Sequence, residues 1–191
     1  MKPYLQATKI IDYDHPSIQT LAKTLAKGKT SDAAIAKACF LFVRDEIHHS
    51  GDYKENITTC KASEVLKERS GWCYAKSHLL AALLRANDIP SGFAYQRLSC
   101  SEYEPGIYCL HGLNWVYLKA YGWYRVDARG NKEGVDAQFI PPVEKLAFVP
   151  QKGEYDIEEN FSNPLPEVLE TLYRNESYEK MVGNFPDIEG K

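Results

Sequence analysis

Pro90 separates two parts of this 191-residue chain that differ in the spacing of their apolar residues. Before Pro90, apolar residues recur every three or four positions, which is typical of helices. After it, stretches rich in aromatic and β-branched residues alternate with turn residues, which is typical of antiparallel strands. Helices followed by strands in one chain of this length predict a single α+β domain over residues 1–191.

The first part predicts four helices. The apolar stretch after Ser70-Gly71 predicts a long helix that begins at or next to Cys73 and stops at Asn87-Asp88. Ahead of it, Ser31 offers a capping oxygen for a helix that we expect to end at His48-His49, where imidazoles can meet the last carbonyls. The two remaining helices are predicted over residues 17–27 and 62–68.

The second part predicts an antiparallel sheet. Its main strands are expected at residues 92–99, 107–119 and 123–128, and two short strands near 137–140 and 145–149. The acidic stretch EYDIEEN that follows is expected to be a solvated surface, before a short helix at 166–174 and a frayed end.

Composition disfavours several classes of function. The net charge is −3 without a basic block, which disfavours a nucleic-acid partner. No apolar stretch reaches the length of a membrane span, and the N-terminus lacks the apolar run of a secretory signal. Five irregularly spaced cysteines without a CxxC pair disfavour a zinc site and a disulfide framework, although Cys100 and Cys109 could pair on oxidation. We therefore expect a cytoplasmic protein that uses no metal or cofactor.

Cys73 is the candidate nucleophile. Gly71 allows a tight turn, so that Cys73 enters its helix with the sulfur exposed. Unpaired N–H groups in a first helical turn, together with a nearby imidazolium, stabilise a thiolate. The helix position alone is equally compatible with a small buried packing residue.

Two downstream residues favour the catalytic interpretation of Cys73. His111 begins one predicted strand and Asp127 ends the next. Since their numbers add to an even value, a regular hairpin with an odd-length loop would place them opposite each other on one face. An imidazole beside a thiol, oriented by a carboxylate, completes a catalytic triad. Singly, His111 would be a packing residue and Asp127 a turn residue, so the combination is what indicates a site.

Four motifs in this order, GWC, LLAALLRANDIPSGF, HGLNWVYL and GWYRVD, resemble the transglutaminase-like superfamily of papain-type folds. The upstream KACFLFVRDEIHHS is similar to the helix that precedes the catalytic cysteine in those domains. The resemblance implies a papain-like core over about residues 30–131, with the cysteine's helix packed on an antiparallel sheet, and a C-terminal extension at 132–191. It also implies Cys73 as nucleophile, His111 as base and Asp127 as orienting acid.

The chain departs from this family at Leu113 and Trp115, where members commonly have an aromatic residue and an acid. Both positions share strand parity with His111 and would extend along the same side of the sheet, as core or as cleft wall. Glu102 and Glu104 precede a Pro-Gly turn and are expected on a loop, where they would favour basic or neutral acyl donors. Substrate choice therefore stays open.

Three other polar residues are expected to be structural. His78 lies about 500° around the helix from Cys73 and does not share its face. Arg85 and Arg97 are expected to form a surface or supporting pair, with Arg97 able to reach a cleft.

We expect acyl transfer through a thioester, with hydrolysis of a peptide or small amide as the first choice. Transamidation of protein glutamine is the alternative; it uses the same residues but needs an acyl-enzyme shielded from water. A non-catalytic peptide-binding module on this fold is the third alternative, although its usual sign is a missing triad residue. The oxyanion should be held by the Cys73 backbone N–H and one side-chain donor that the sequence does not identify.

Overall fold

The computed structural model describes residues 1–100 and 106–188. After a 3₁₀ turn at Lys2–Leu5, the helices are α1 (Pro16–Ala26), α2 (Asp32–Glu46), α3 (Ser50–Tyr53), α4 (Ala62–Glu68), α5 (Cys73–Arg85), α6 (Pro166–Arg174) and α7 (Tyr178–Val182). The strands are β1 (His48–His49), β2 (Ser70–Gly71), β3 (Ser91–Ser99), β4 (Tyr108–Leu118), β5 (Gly122–Val126), β6 (Gln138–Ile140), β7 (Val143–Lys145) and β8 (Tyr155–Phe161). The predicted α+β class is confirmed.

Helix α5 is the centre of the fold, because all 13 of its residues are buried. It contacts α1, α2 and α4 as well as strands β3 and β4. A helix that is buried on every side needs apolar residues all round. The long apolar run after Gly71 therefore explains why α5 is the central helix.

The main sheet has the strand order β5-β4-β3-β8, and its neighbouring strands are antiparallel. The sequence predicted no strand in EYDIEEN, yet Tyr155–Phe161 forms the edge strand β8 beside β3, and its side chains are exposed or half-buried, as expected of a solvated surface. One of its acidic side chains has partners across the sheet: Asp156 accepts hydrogen bonds from Gln96 at 2.9 Å and from Arg125 at 2.8 Å. An edge strand has only one neighbouring strand and tolerates charged side chains. Because this strand is rich in charged residues, it lacks the apolar pattern from which strands are predicted.

Strand β4 lies against the start of α5. Asn114 donates to the Ser77 carbonyl at 3.0 Å. On the same face, a Cβ at Gly112 would lie 2.9 Å from Tyr74 Cδ1 and 3.2 Å from Tyr74 Cα. This close approach requires glycine and brings the N-terminus of α5 against His111, the preceding residue of β4.

Helix α2 ends earlier than predicted. It stops at Glu46, and His48–His49 form a short strand parallel to Ser70–Gly71. The expected role of the two histidines as a helix cap is therefore wrong. The buried ammonium of Lys76 instead donates to the carbonyls of Arg44 and Ile47 at this helix end, and burial lowers the pKa of Lys76 to about 7.

Arg85 is buried, and Arg97 is paired with Asp187, so the expectation of a surface pair is wrong, whereas a supporting role for Arg85 is confirmed. Its guanidinium donates to the carbonyls of Gln6, Ser91 and Ser162, which ties the N-terminal segment to one end of the β3–β8 pair, where β3 begins and β8 ends. Fully buried guanidinium groups need such acceptors to offset the loss of water.

Cys100 and Cys109 form a disulfide between the end of β3 and the start of β4. The other three cysteines are thiols. Burial raises the pKa of Cys39 to about 12 and that of Cys60 to about 11, so these two are poor nucleophiles.

Candidate active site

Cys73 is the first residue of α5, at the position predicted from the sequence. Trp72 precedes it in extended backbone and supplies no side-chain cap, so the first N–H groups of the helix have no partner within it. The sulfur of Cys73 accepts a long hydrogen bond from the Gly112 N–H at 3.5 Å. The residue is 7% exposed and lines a cavity of about 510 Å³.

His111 and Asp127 lie beside Cys73. His111 Nε2 is 2.8 Å from Asp127 Oδ2, and both side chains are buried. The carboxylate also accepts the backbone N–H groups of Arg129 and Ala147, each at 3.1 Å. Since Nε2 is engaged with Asp127, Nδ1 is the nitrogen left to face the Cys73 side chain, which is close enough to help raise the pKa of His111.

The hairpin register explains how the imidazole and the carboxylate meet. Continued one residue beyond Val126, the β4–β5 register places Asp127 opposite Leu113, two residues from His111 on the same face of β4. Parity therefore predicted the shared face correctly. The expectation of directly opposed residues is wrong, because the loop at 119–121 sets a register that makes the two diagonal neighbours.

The His111–Asp127 contact is an ion pair. Burial opposes a charged His111, but the Asp127 carboxylate and the Cys73 side chain outweigh it and raise the pKa of His111 to about 10. Burial also opposes an ionised Asp127, yet His111 and the two backbone N–H groups lower the pKa of this carboxyl. The favoured forms are thus an imidazolium and a carboxylate, with the imidazolium against the sulfur.

The cavity beside Cys73 has mostly apolar walls. They include Leu98, Leu110, Phe148, Val149, Phe185 and the Cys100–Cys109 disulfide. Two charged wall residues already have partners: Arg129 binds Asp52 through contacts of 2.6 and 2.8 Å, and Glu154 accepts two backbone N–H groups, each at 2.8 Å. The space therefore suits an uncharged group.

The C-terminal segment forms one wall of this cavity. Phe185 lines it, and the Pro186 carbonyl accepts the Leu110 N–H at 2.8 Å. Asp187 holds the segment in place through two bonds of 2.7 Å to Arg97. The sequence predicted a frayed end here because every one of these partners is distant along the chain.

His49 also lines the cavity, and no sequence pattern indicated it. Strand pairing places it beside Gly71, two residues before Cys73. Its ring lies edge-on to Trp72 with 5.6 Å between centroids, and the residue is 6% exposed. Burial and the nearby Arg129 lower the pKa of His49 well below its usual value, so the ring is neutral. The sequence did not indicate His49 because a strand of two residues is too short to show an alternating pattern.

The remaining candidates lie outside the cavity. His78 is buried and binds the Cys60 carbonyl through Nδ1 at 2.7 Å, as expected of a structural residue. Leu113 is buried, and Trp115 is half-buried beneath the Arg125 guanidinium, 5.6 Å from its ring centroid. These two residues therefore lie on the same face of β4 as His111 but do not line the cavity.

Glu102 and Glu104 fall in the loop that lies outside the described residues. Within residues 1–100 and 106–188, no cluster of three or more His, Cys, Asp or Glu side chains is placed to hold a metal ion. In the same ranges, none of the helices combines the length and the apolar character that crossing a bilayer requires.

Residues 19–128 match the family model of the transglutaminase-like superfamily. Among solved structures, the chain is similar to a "Putative Cysteine Protease" from Cytophaga hutchinsonii, with a TM-score of 0.53 at 22% identity over 67% of this chain and 41% of that one. A "putative protease" from Parabacteroides distasonis gives a TM-score of 0.44 at 12% identity over 65% and 24% of the two chains. This chain thus covers less than half of either structure, and the first similarity shows a shared fold. No curated protein matches the chain.

Proposed function

Because the chain belongs to the transglutaminase-like superfamily, we propose that it hydrolyses amide or peptide bonds by acyl transfer to Cys73. The observation that carries this proposal is that Cys73 and His111 line one cavity while His111 Nε2 is hydrogen-bonded to the buried Asp127 carboxylate. Cys73 is the nucleophile, His111 the proton carrier and Asp127 the group that orients the ring. The substrate is a peptide or a small amide.

The reaction begins from the imidazolium–thiolate pair. The Cys73 sulfur attacks the carbonyl carbon, and the π electrons of the C=O bond move to its oxygen. Collapse of this intermediate breaks the C–N bond, and the leaving amine takes the proton of His111 Nδ1, which leaves a thioester and a neutral ring. The neutral His111 then removes a proton from water as it attacks the thioester, and collapse releases the acid and restores the pair.

The proposed role of Asp127 depends on its fixed position. A carboxylate held by the N–H groups of Arg129 and Ala147 cannot turn with the ring, so it keeps His111 Nε2–H bonded and Nδ1 toward the sulfur. Ala147 belongs to the extension at 132–191. We therefore take residues 1–191 as one domain, in which the extension completes a site built on the core at about 30–131.

Iodoacetamide labelling at pH 6, followed by peptide mapping, tests the nucleophile. Cys73 should dominate the label over Cys39 and Cys60, and His111→Ala should slow its labelling. Cys39→Ser serves as the matched control and should leave the rate at Cys73 unchanged. Faster labelling of Cys60 in the folded protein would refute the assignment.

Turnover of a peptide amide library in the presence of methylamine separates the alternative reactions. Hydrolysis gives mainly free acid, whereas transamidation gives mainly the methylamide, because amine and water compete for the same thioester. Selective labelling of Cys73 with no turnover of any amide would favour the non-catalytic binding module instead.

A further inference from the structure

We propose that His49 donates a hydrogen bond from Nε2 to the oxyanion of the acyl-transfer intermediate, together with the backbone N–H of Cys73. The inference rests on the proposed function. It assigns the side-chain donor that acyl transfer requires and that the sequence does not identify.

The first argument is position. His49 and Cys73 line the same cavity. The β1–β2 pairing sets His49 beside Gly71, at the strand separation of about 4.8 Å, two residues before the nucleophile. Contact with the Trp72 ring fixes the plane of the imidazole. A carbonyl oxygen of an acyl group on the Cys73 sulfur would therefore lie in the space that His49 borders.

The second argument is the hydrogen bonding of the ring. Among the described residues, His49 Nδ1 is buried and has no hydrogen-bond partner. The Asp52 carboxylate lies 3.7 Å from Nδ1, and its oxygens are already bonded by Arg129 and Lys132. Buried N–H groups without an acceptor are rarer than unbonded acceptors, which puts the single ring proton on Nε2. Nε2 lies on the opposite edge of the ring from Nδ1 and Asp52.

The third argument is charge. Burial, and after it the positive charges of Arg129, Lys76 and His111, lower the pKa of His49 despite Asp52 and keep its ring neutral. Because His49 is neutral and His111 is charged, His49 serves as a hydrogen-bond donor only, and His111 carries the proton. A fixed neutral donor interacts weakly with a substrate carbonyl and more strongly with the oxyanion that replaces it, which is the selectivity that lowers a barrier.

Two reagents that attack the same sulfur differently test the proposal. Acylation of Cys73 by p-nitrophenyl acetate passes through a tetrahedral oxyanion, whereas alkylation by iodoacetamide does not. The amide nitrogen of glutamine can occupy the place of His49 Nε2, and that of asparagine only the place of Nδ1. His49→Phe and His49→Asn should therefore slow acylation by about 10²–10³-fold while alkylation stays within about threefold, and His49→Gln should restore part of the acylation rate.

The outcomes separate this inference from the proposed function. If acylation is unchanged in His49→Phe, the proposed role of His49 is overturned and the proposed function stands. The same holds if His49→Phe and His49→Asn both lose acylation and alkylation equally. Acylation of wild-type protein at a residue other than Cys73 overturns the proposed function and this inference with it. If the variants do not fold, nitrogen NMR of the wild-type ring decides: a proton on Nε2 that shifts downfield when acetaldehyde adds to Cys73 supports the proposal, and a proton on Nδ1 overturns it.

Discussion

Replacing Asp127 by asparagine keeps the shape of the side chain and removes the charge that faces His111. The carboxylate accepts three hydrogen bonds, from His111 Nε2 and from the N–H groups of Arg129 and Ala147. An amide offers one oxygen, so with that oxygen toward His111 its NH₂ faces the Arg129 N–H and leaves a buried donor unpaired. Breaking a buried ion pair by removing one partner costs about 3–5 kcal/mol.

The loss should depend on pH in a defined direction. His111 has a pKa of about 10 in the fold and about 6.5 when unfolded, so its charged form contributes stability that is complete below pH 6.5 and lost as the pH rises through 10. Asp127 has a lowered pKa, so its contribution is present above about pH 4 and lost on acidification. The difference in unfolding free energy between wild type and Asp127→Asn should therefore be largest between about pH 4 and 6.5 and shrink toward pH 10.

Urea unfolding across this pH range measures the difference, with the exposed Asp14→Asn as control. In parallel, the His111 pKa should fall toward 6.5 in the variant, and a fall of three units corresponds to about 4 kcal/mol of lost preference for the imidazolium. Alkylation of Cys73 should then be slower than in wild type at pH 8, because the neutral ring no longer stabilises a negative charge on the sulfur. A variant that unfolds like wild type at pH 6 and alkylates at the same rate at pH 8 would refute the ion-pair reasoning.

Three further predictions address the frame of the site, acid stability and substrate choice. Gly112→Ala places a Cβ against the Tyr74 backbone, so it should lower the free energy of unfolding by about 1–3 kcal/mol in thermal unfolding and slow Cys73 alkylation. Gly183→Ala, where the added carbon meets open space, is the control and should change neither. Equal effects of the two substitutions would contradict the packing argument. Burial holds the pKa of His78 at about 4, so the free energy of unfolding should fall by up to about 3 kcal/mol as the pH drops from 6.5 through 4. Urea unfolding of His78→Gln checks this, and an equal loss of unfolding free energy on acidification in the variant would exclude His78 as the cause. Peptide amides with an apolar acyl side chain should give a higher kcat/KM than matched acidic or basic ones, because the cavity walls are apolar and their charges are paired; a preference for a charged donor would point to the loop that contains Glu102 and Glu104.

Sequence patterns alone determined much of the fold and the three central residues of the candidate site. The apolar run between Gly71 and Asn87 predicted α5 because a helix buried on all sides needs apolar residues all round. Strand periodicity of two placed His111 and Asp127 on one face before any register was known. These properties depend on neighbours within a few residues, so they can be read along the chain.

Only the tertiary structure decided what surrounds those three residues. His49 enters the cavity through a two-residue strand, and Phe185 through a segment tied to Arg97. The charged sequence of β8 did not predict a strand, because this strand forms through pairing with β3. Each of these contacts joins residues far apart in sequence, and their geometry follows from packing around α5 rather than from local preference. The candidate nucleophile could therefore be predicted from the sequence, whereas the walls of its cavity and the proposed second donor depend on how the chain folds.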